Sequence, residues 1–304
     1  MRYREGGRLD TSGVSDRRGR GGMGGGRGIA VGGGGLGLVG LLIVVVLQLA
    51  GGGGDTGAAL GSLAGLGDGE QADNSQLEQR CQSGADANDS VECAVVADIE
   101  SIQDFWTTTL GSTYVPTDTV FFSGSVQTSC GAASSGSGPF YCPADQLVYI
   151  DLSFFDQLQQ DFGAQGGLFV DAYVIAHEYG HHVQNLLGTN ARVTPGETGP
   201  TSGTVRLELQ ADCYAGAWAN HAETVPDESG QPLIAEINQD DINRALDAAA
   251  RIGDDFIQQN LGSGRVDQNA FTHGSSEQRQ KWFTTGYETG DPARCDTFAT
   301  DDLG

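Results

Sequence analysis

Apolar residues are unevenly spread along the 304-residue chain, and their spacing separates a first third too poor in varied apolar content to pack a core from a remainder that can. Between Val91 and Leu110 they fall at Val95, Val96, Ile99, Ile102, Phe105 and Trp106, which places them along one face of a helix. Thr119 to Phe122, Gly124 to Thr128 and Gln146 to Asp151 are rich in β-branched and aromatic residues and are bounded by Gly, Ser or Pro, so they predict the strands of a small sheet. The stretch from Cys130 to Pro143 reads as a loop tied at its base. Phe154 to Phe162 predicts a short helix, and Gly166 to Leu187 a longer one that Gly188 closes with a left-handed cap. Val174, Ile175, Val183 and Leu187 give that helix its buried face. Further helices are predicted over Val205 to Ala222, Leu233 to Gln259 and Ser275 to Tyr287. The expectation is a mainly helical α+β domain over residues 81–304.

The N-terminal pattern is different. Residues 1–27 are Arg- and Gly-rich without apolar periodicity, which predicts a disordered basic tail. No charge occurs between Arg27 and Asp55, and Leu36 to Leu49 is almost wholly Leu, Val and Ile. With its flanking Gly and Ala, the run from Gly28 to Ala50 is about 23 residues, long enough for a tilted bilayer crossing. It reads as one uncleaved transmembrane anchor, a signal peptide's hydrophobic region being the alternative. Arginines before it and acids after it place the tail in the cytoplasm and the domain outside. Residues 51–80 then form a flexible linker.

The formal net charge is −24. Seven Arg against three acids give residues 1–27 a balance of +4, so the remainder carries −28. A domain this acidic, with Lys281 as its single lysine, repels phosphate backbones, and nucleic acid is excluded as a partner. All six cysteines follow the apolar run, which suggests disulfides in an oxidising compartment. The two close pairs, Cys81 with Cys93 and Cys130 with Cys142, close short loops and leave Cys213 with Cys295.

Chemistry enters with His177-Glu178-Tyr179-Gly180-His181 on the predicted Gly166 to Leu187 helix. Residues four apart share a helix face, so His177 and His181 can direct their imidazoles to one zinc ion. Glu178 then stands beside the open coordination position, where it can take a proton from an attacking water and pass it to a leaving amine. Gly180 allows another segment to approach this helix closely. A catalytic zinc usually takes a third protein ligand. No histidine lies six residues beyond His181, which excludes a third histidine ligand in the same run. Downstream, Glu208 and Asp212 lie four apart on a predicted helix in the manner of the ExxxD element of gluzincins, with Glu208 as third ligand and Asp212 orienting a ligand histidine. Glu197, Glu223 and Asp171 are weaker substitutes. His273 stands before the last helix as a donor to a tetrahedral oxyanion, with Tyr214 as the alternative. Helix capping by Ser275 or Ser276, with His273 merely packed, explains the same run equally well. Asp254 and Asp255 receive no role.

Several separated runs together resemble the neutral zinc metallopeptidases of bacterial membranes: Thr128 to Gly131, Gly138 to Asp145, Val148 to Leu152, Tyr173 to Gln184, Glu208 to Tyr214 and Phe271 to Ser276. The resemblance covers about residues 95–298 and implies a zincin-like, gluzincin-like metallopeptidase domain on a single N-terminal anchor. The expected activity is hydrolysis of peptide bonds in a peptide or protein substrate, in the cell envelope or outside the cell, with one Zn²⁺. The rival is a zinc-containing envelope binding or scaffold protein without turnover, against which the retained Glu178 argues.

Overall fold

The computed structural model describes residues 1–18 and 73–304. The architecture is mixed α+β, about half helical, with three small sheets among the described residues. The expected span over Gly28 to Ala50 and residues 51–72 of the linker lie outside the described residues. Among the described residues, no helix is long and apolar enough to cross a membrane.

Strands β1 (Arg2–Tyr3) and β2 (Val14–Asp16) come from the N-terminal segment. Helices α1 (Ser75–Arg80), α2 (Gly84–Asp89) and α3 (Val91–Leu110) follow. Next come β3 (Thr119–Phe121), β4 (Ser125–Thr128), β5 (Gly131–Ser134), β6 (Phe140–Cys142) and β7 (Leu147–Ile150). The remainder is helix α4 (Phe154–Gln160), α5 (Leu168–Leu186), α6 (Gly203–His221), strand β8 (Ile234–Glu236), α7 (Gln239–Arg251), α8 (Asp254–Asn260) and α9 (Ser276–Thr289). The main sheet runs β2-β3-β7-β6, with β2, β3 and β7 parallel and β6 antiparallel to β7.

Helix α3 begins and ends where its periodicity places it, and all six residues of its apolar face are buried. On α5 the expected face is buried at Val174, Ile175 and Val183, whereas Leu187 is exposed beyond the helix end. Gly188 adopts the left-handed conformation expected of the cap, with φ of 73°. The single helix expected over Leu233 to Gln259 is instead β8, α7 and α8. Asn238 starts α7 by accepting the N–H groups of Asp240 and Asp241. At Gly253 the chain turns, and the Gly253 backbone packs so closely on Ser276 that a Cβ would stand 2.5 Å from its nitrogen. The loop expected from Cys130 to Pro143 contains β5 and β6, and the three disulfides pair as the spacing predicts.

The disordered tail is corrected for residues 1–18. β1 pairs with β8 and β2 extends the main sheet beside β3. Tyr3, Leu9 and Val14 join the core. Three well-spaced apolar residues suffice because each enters a site already formed by later elements, which tail composition alone does not reveal.

One buried contact of this segment leads to a pH prediction. The Tyr3 hydroxyl donates to Asp98 Oδ1 at 2.8 Å, within the same apolar interior as Asp171 of α5. Burial pushes Asp171 up to about 8, with Asp156 adding repulsion, and burial likewise raises Asp98. An unfolded Asp titrates near ~3.9. The folded state therefore holds the proton over the window from about pH 4 to about pH 8, and the stability it contributes is lost as pH rises through that window. Asp171→Asn cannot ionise, so its melting temperature should fall less between pH 5 and pH 8 than that of the parent. Equal slopes would show that Asp171 does not carry this dependence.

Candidate metal centre

Helices α5 and α6 pack side by side, and their contact creates the site. The distance is set at Gly180, where a Cβ would stand 3.0 Å from Ala211 Cα of α6. Ala211 lies between Glu208 and Asp212 on the facing surface, so the close approach brings both carboxylates to the histidines of α5. Any side chain at Gly180 would move the two helices apart.

Glu208 Oε2 lies 3.2 Å from His177 Nε2, and Glu208 Oε1 lies 3.6 Å from His181 Nε2. The ligand atoms of all three residues fall within 4.8 Å of one another. Donors bonded to a tetrahedral zinc at ~2.0–2.1 Å stand about 3.3 Å apart, so this set of two imidazoles and one carboxylate fits such an ion. His177 is buried and His181 and Glu208 are partly buried, which restricts the freedom of all three side chains.

The outer nitrogens are also fixed. His177 Nδ1 lies 2.8 Å from Asp212 Oδ1, and Tyr173 donates its hydroxyl to the same oxygen at 2.6 Å. His181 Nδ1 lies 2.9 Å from Gln184 Oε1, whose amide nitrogen donates to the Leu207 carbonyl at 2.7 Å. Each arrangement holds the ring by its outer nitrogen and leaves Nε2 directed at the common centre. Burial alone would lower the His177 imidazole, yet the Asp212 carboxylate and the Glu208 contact raise it to about 10. Burial likewise works against ionisation of Glu208, but His181 and His177 hold it well below the usual carboxylate range.

Arg279 of α9 completes this layer. Its Nε donates to Asp212 Oδ2 at 2.8 Å and its Nη2 to Asp212 Oδ1 at 2.9 Å, a two-pronged bond between fully enclosed groups. Burial would raise the Asp212 carboxyl, but Arg279 and then His177 bring it down to about 2. Sequence reasoning missed both Arg279 and Gln184. The available signal for Gln184 was its position three residues after His181, one helical turn on the same side.

Glu178 is buried at the cleft wall beside β6. Burial raises its carboxyl above the ordinary value, opposed by His177, His181 and the Tyr141 backbone amide. The cleft holds about 410 Å³, and Phe154, Phe162, Val174, Leu207, Ile252 and Ile257 give it apolar walls. His177, Glu178, His181, Glu208 and His273 all line it.

His273 thus lines the cleft, and Ser275 caps α9 through Gln278, so the capping expected of that run is present beside a histidine that faces the cleft. Asp254, to which sequence analysis gave no role, holds the His273 turn. Its Oδ2 accepts the N–H groups of Thr272 at 2.7 Å, His273 at 2.7 Å and Gly274 at 2.9 Å, while Oδ1 lies 3.4 Å from His273 Nδ1. Asp255 instead accepts from Ser276 at the start of α9. Tyr214 is not brought to the cleft. Two residues beyond Asp212 it points about 200° around α6 and packs edge-on against Trp106, 5.2 Å between ring centres. Glu197 and Glu223 bond backbone amides of Gly203 and Ile237, and Asp171 is held in the core away from the cluster. His182 is structural, between the Val115 carbonyl at 2.7 Å and the Tyr141 hydroxyl at 3.0 Å.

The chain is similar to uncharacterised proteins. One from Mycobacterium tuberculosis is 53% identical over 226 residues, 74% of this chain and 76% of that protein. The uncharacterised protein YpfJ of Escherichia coli K12 is 38% identical over 300 residues, 96% of this chain and 97% of that protein. No solved structure matches. A family model described as "Putative neutral zinc metallopeptidase" matches residues 1–298, reaching the N-terminal segment that the resemblance read from motifs did not cover, and the chain belongs to that family.

Proposed function

We propose that the protein is a zinc-dependent peptidase in which His177, His181 and Glu208 hold the ion and Glu178 is the general base. The observation that carries this reading is the convergence of those three ligand atoms in a cleft whose wall also holds Glu178. Bound there, Zn²⁺ would polarise a substrate carbonyl and make a water acidic enough to attack at neutral pH. Glu178 accepts the proton of the attacking water and delivers it to the departing amine. His273, oriented by Asp254, donates to the oxyanion as it develops. Asp212 and Gln184 keep the two imidazoles in the tautomer that presents Nε2. An extended peptide has a place to pair along β6, the edge strand of the main sheet whose Phe140 and Tyr141 line the cleft.

Three disulfides support a setting in the envelope or outside the cell, since such bonds persist in oxidising compartments. The uncharged run Leu36 to Leu49 supports membrane attachment.

The ligand assignment is tested by zinc content of the purified full chain. Glu208→Gln removes a charged ligand and should abolish stoichiometric zinc. Asp212→Asn keeps all three ligands and should weaken binding by roughly 10–100-fold, the usual effect of losing an outer hydrogen-bond partner. The reverse order would contradict the roles given to these two residues.

A further inference from the structure

Residues 1–18 wrap around the part of the domain that the Cys81–Cys93 disulfide closes. The Arg4 amide donates to the Leu233 carbonyl at 2.8 Å, the Leu9 amide to Gln82 at 3.1 Å, and the Gly84 amide returns to Gly7 at 2.8 Å. Further on, the Arg17 amide donates to Phe121 at 2.9 Å and the Thr119 amide to Gly13 at 2.9 Å, so β2 is bonded into the main sheet from both sides of the pairing. Side chains follow the backbone. Arg4 pairs with Asp227 at 2.7 Å, Tyr3 with Asp98, and Arg18 with Glu92 next to Cys93. Gly84 is shaped for this segment, since a Cβ there would stand 2.1 Å from the Arg4 carbonyl oxygen.

The two described ends that flank residues 19–72 also meet. The Asp73 amide donates to the Asp16 carbonyl at 3.1 Å, and the Asn74 side chain accepts from the Asp16 amide at 3.0 Å and donates to the Val14 carbonyl at 2.6 Å. Contacts of this length cannot form across a hydrocarbon layer of about 30 Å.

We infer that residues 1–18 form part of the metallopeptidase fold and share its compartment, so that the apolar run Leu36 to Leu49 does not place the N-terminus on the opposite side of a membrane from the metal centre. This reverses the topology that the Arg-rich leader suggests. The positive-inside tendency counts charges beside a span, but here Arg4 and Arg18 are engaged by acids of the domain. The inference stands independently of the peptidase reading, because it uses no residue of the metal centre.

The test uses single added cysteines in the full chain, expressed in intact cells. All six native cysteines are disulfide-bonded, so the parent chain is the unreactive control. Gly6→Cys adds a side chain where no atom lies within 4 Å, and Asp301→Cys reports an exposed site on the domain. A membrane-impermeant maleimide should label both before the cells are permeabilised. Labelling of one in intact cells and of the other only after permeabilisation would overturn the inference. Hydrogen exchange of the purified full chain gives a second reading that needs no substitution. The Arg4, Leu9 and Arg17 amides should exchange at least ~100-fold more slowly than unstructured amides, and random-coil rates at all three would equally overturn it.

Discussion

Glu178→Gln should leave zinc content and melting temperature close to those of the parent while lowering kcat on a cleaved peptide by about 10²–10⁴-fold, the range that a positioned acid–base group supplies. Glutamine has the same shape and can accept a hydrogen bond, but it cannot take the proton of an attacking water. Glu178 is not among the residues whose ligand atoms converge, so its loss should spare metal binding. Burial raises its carboxyl, which makes it a stronger base than an exposed glutamate. The measurement is turnover of a peptide library by the two full chains at equal zinc occupancy. Bound zinc with the same negligible cleavage by both would sink the peptidase reading and favour a zinc-containing binding protein.

The second large effect is expected at Arg279. Arg279→Met keeps much of the side-chain length but removes both donors to Asp212, leaving a buried carboxylate without its partner cation. Breaking a buried pair in this way costs about 3–5 kcal/mol. For a domain of this size that corresponds to a fall of roughly 6–20 °C in melting temperature. The double substitution Asp212→Asn with Arg279→Met removes both charges and should be more stable than Arg279→Met alone, because no orphaned charge remains. Arg279→Lys should not restore the parent, since an ammonium cannot present the two parallel N–H groups that meet Oδ1 and Oδ2. A double variant no more stable than the single one would show that Arg279 acts through packing alone. Zinc affinity should fall with Arg279→Met as well, because Asp212 is also the partner of His177.

Asp212 illustrates how far a motif reaches. Spacing placed it one turn from Glu208, and the structure has it on His177 Nδ1, as an orienting residue should be. The same spacing could not show that Arg279, 67 residues later, holds its other oxygen. Nor could it show that Asp254 closes the His273 turn, because three backbone amides converge on one carboxylate oxygen only after α8 and α9 have packed. Tyr214 failed for a related reason. An angle of 200° from Asp212 is legible in the sequence, but the side of α6 that Trp106 covers is not.

By itself the sequence determined what depends on short range: the extents of α3 and α5, the cap at Gly188, the disulfide pairs, and the pairing of His177 with His181 on one helix face. These follow from helical periodicity, local chain conformation and loop length, which neighbouring residues set. Tertiary structure alone decided which distant groups complete the candidate metal site, that β6 forms the edge strand beside it, and that residues 1–18 belong to the fold. Those outcomes rest on burial and on hydrogen bonds between segments far apart in the chain. A short strand such as β1 or β2 has too few residues to carry a pattern of its own and acquires its conformation from the surface that receives it.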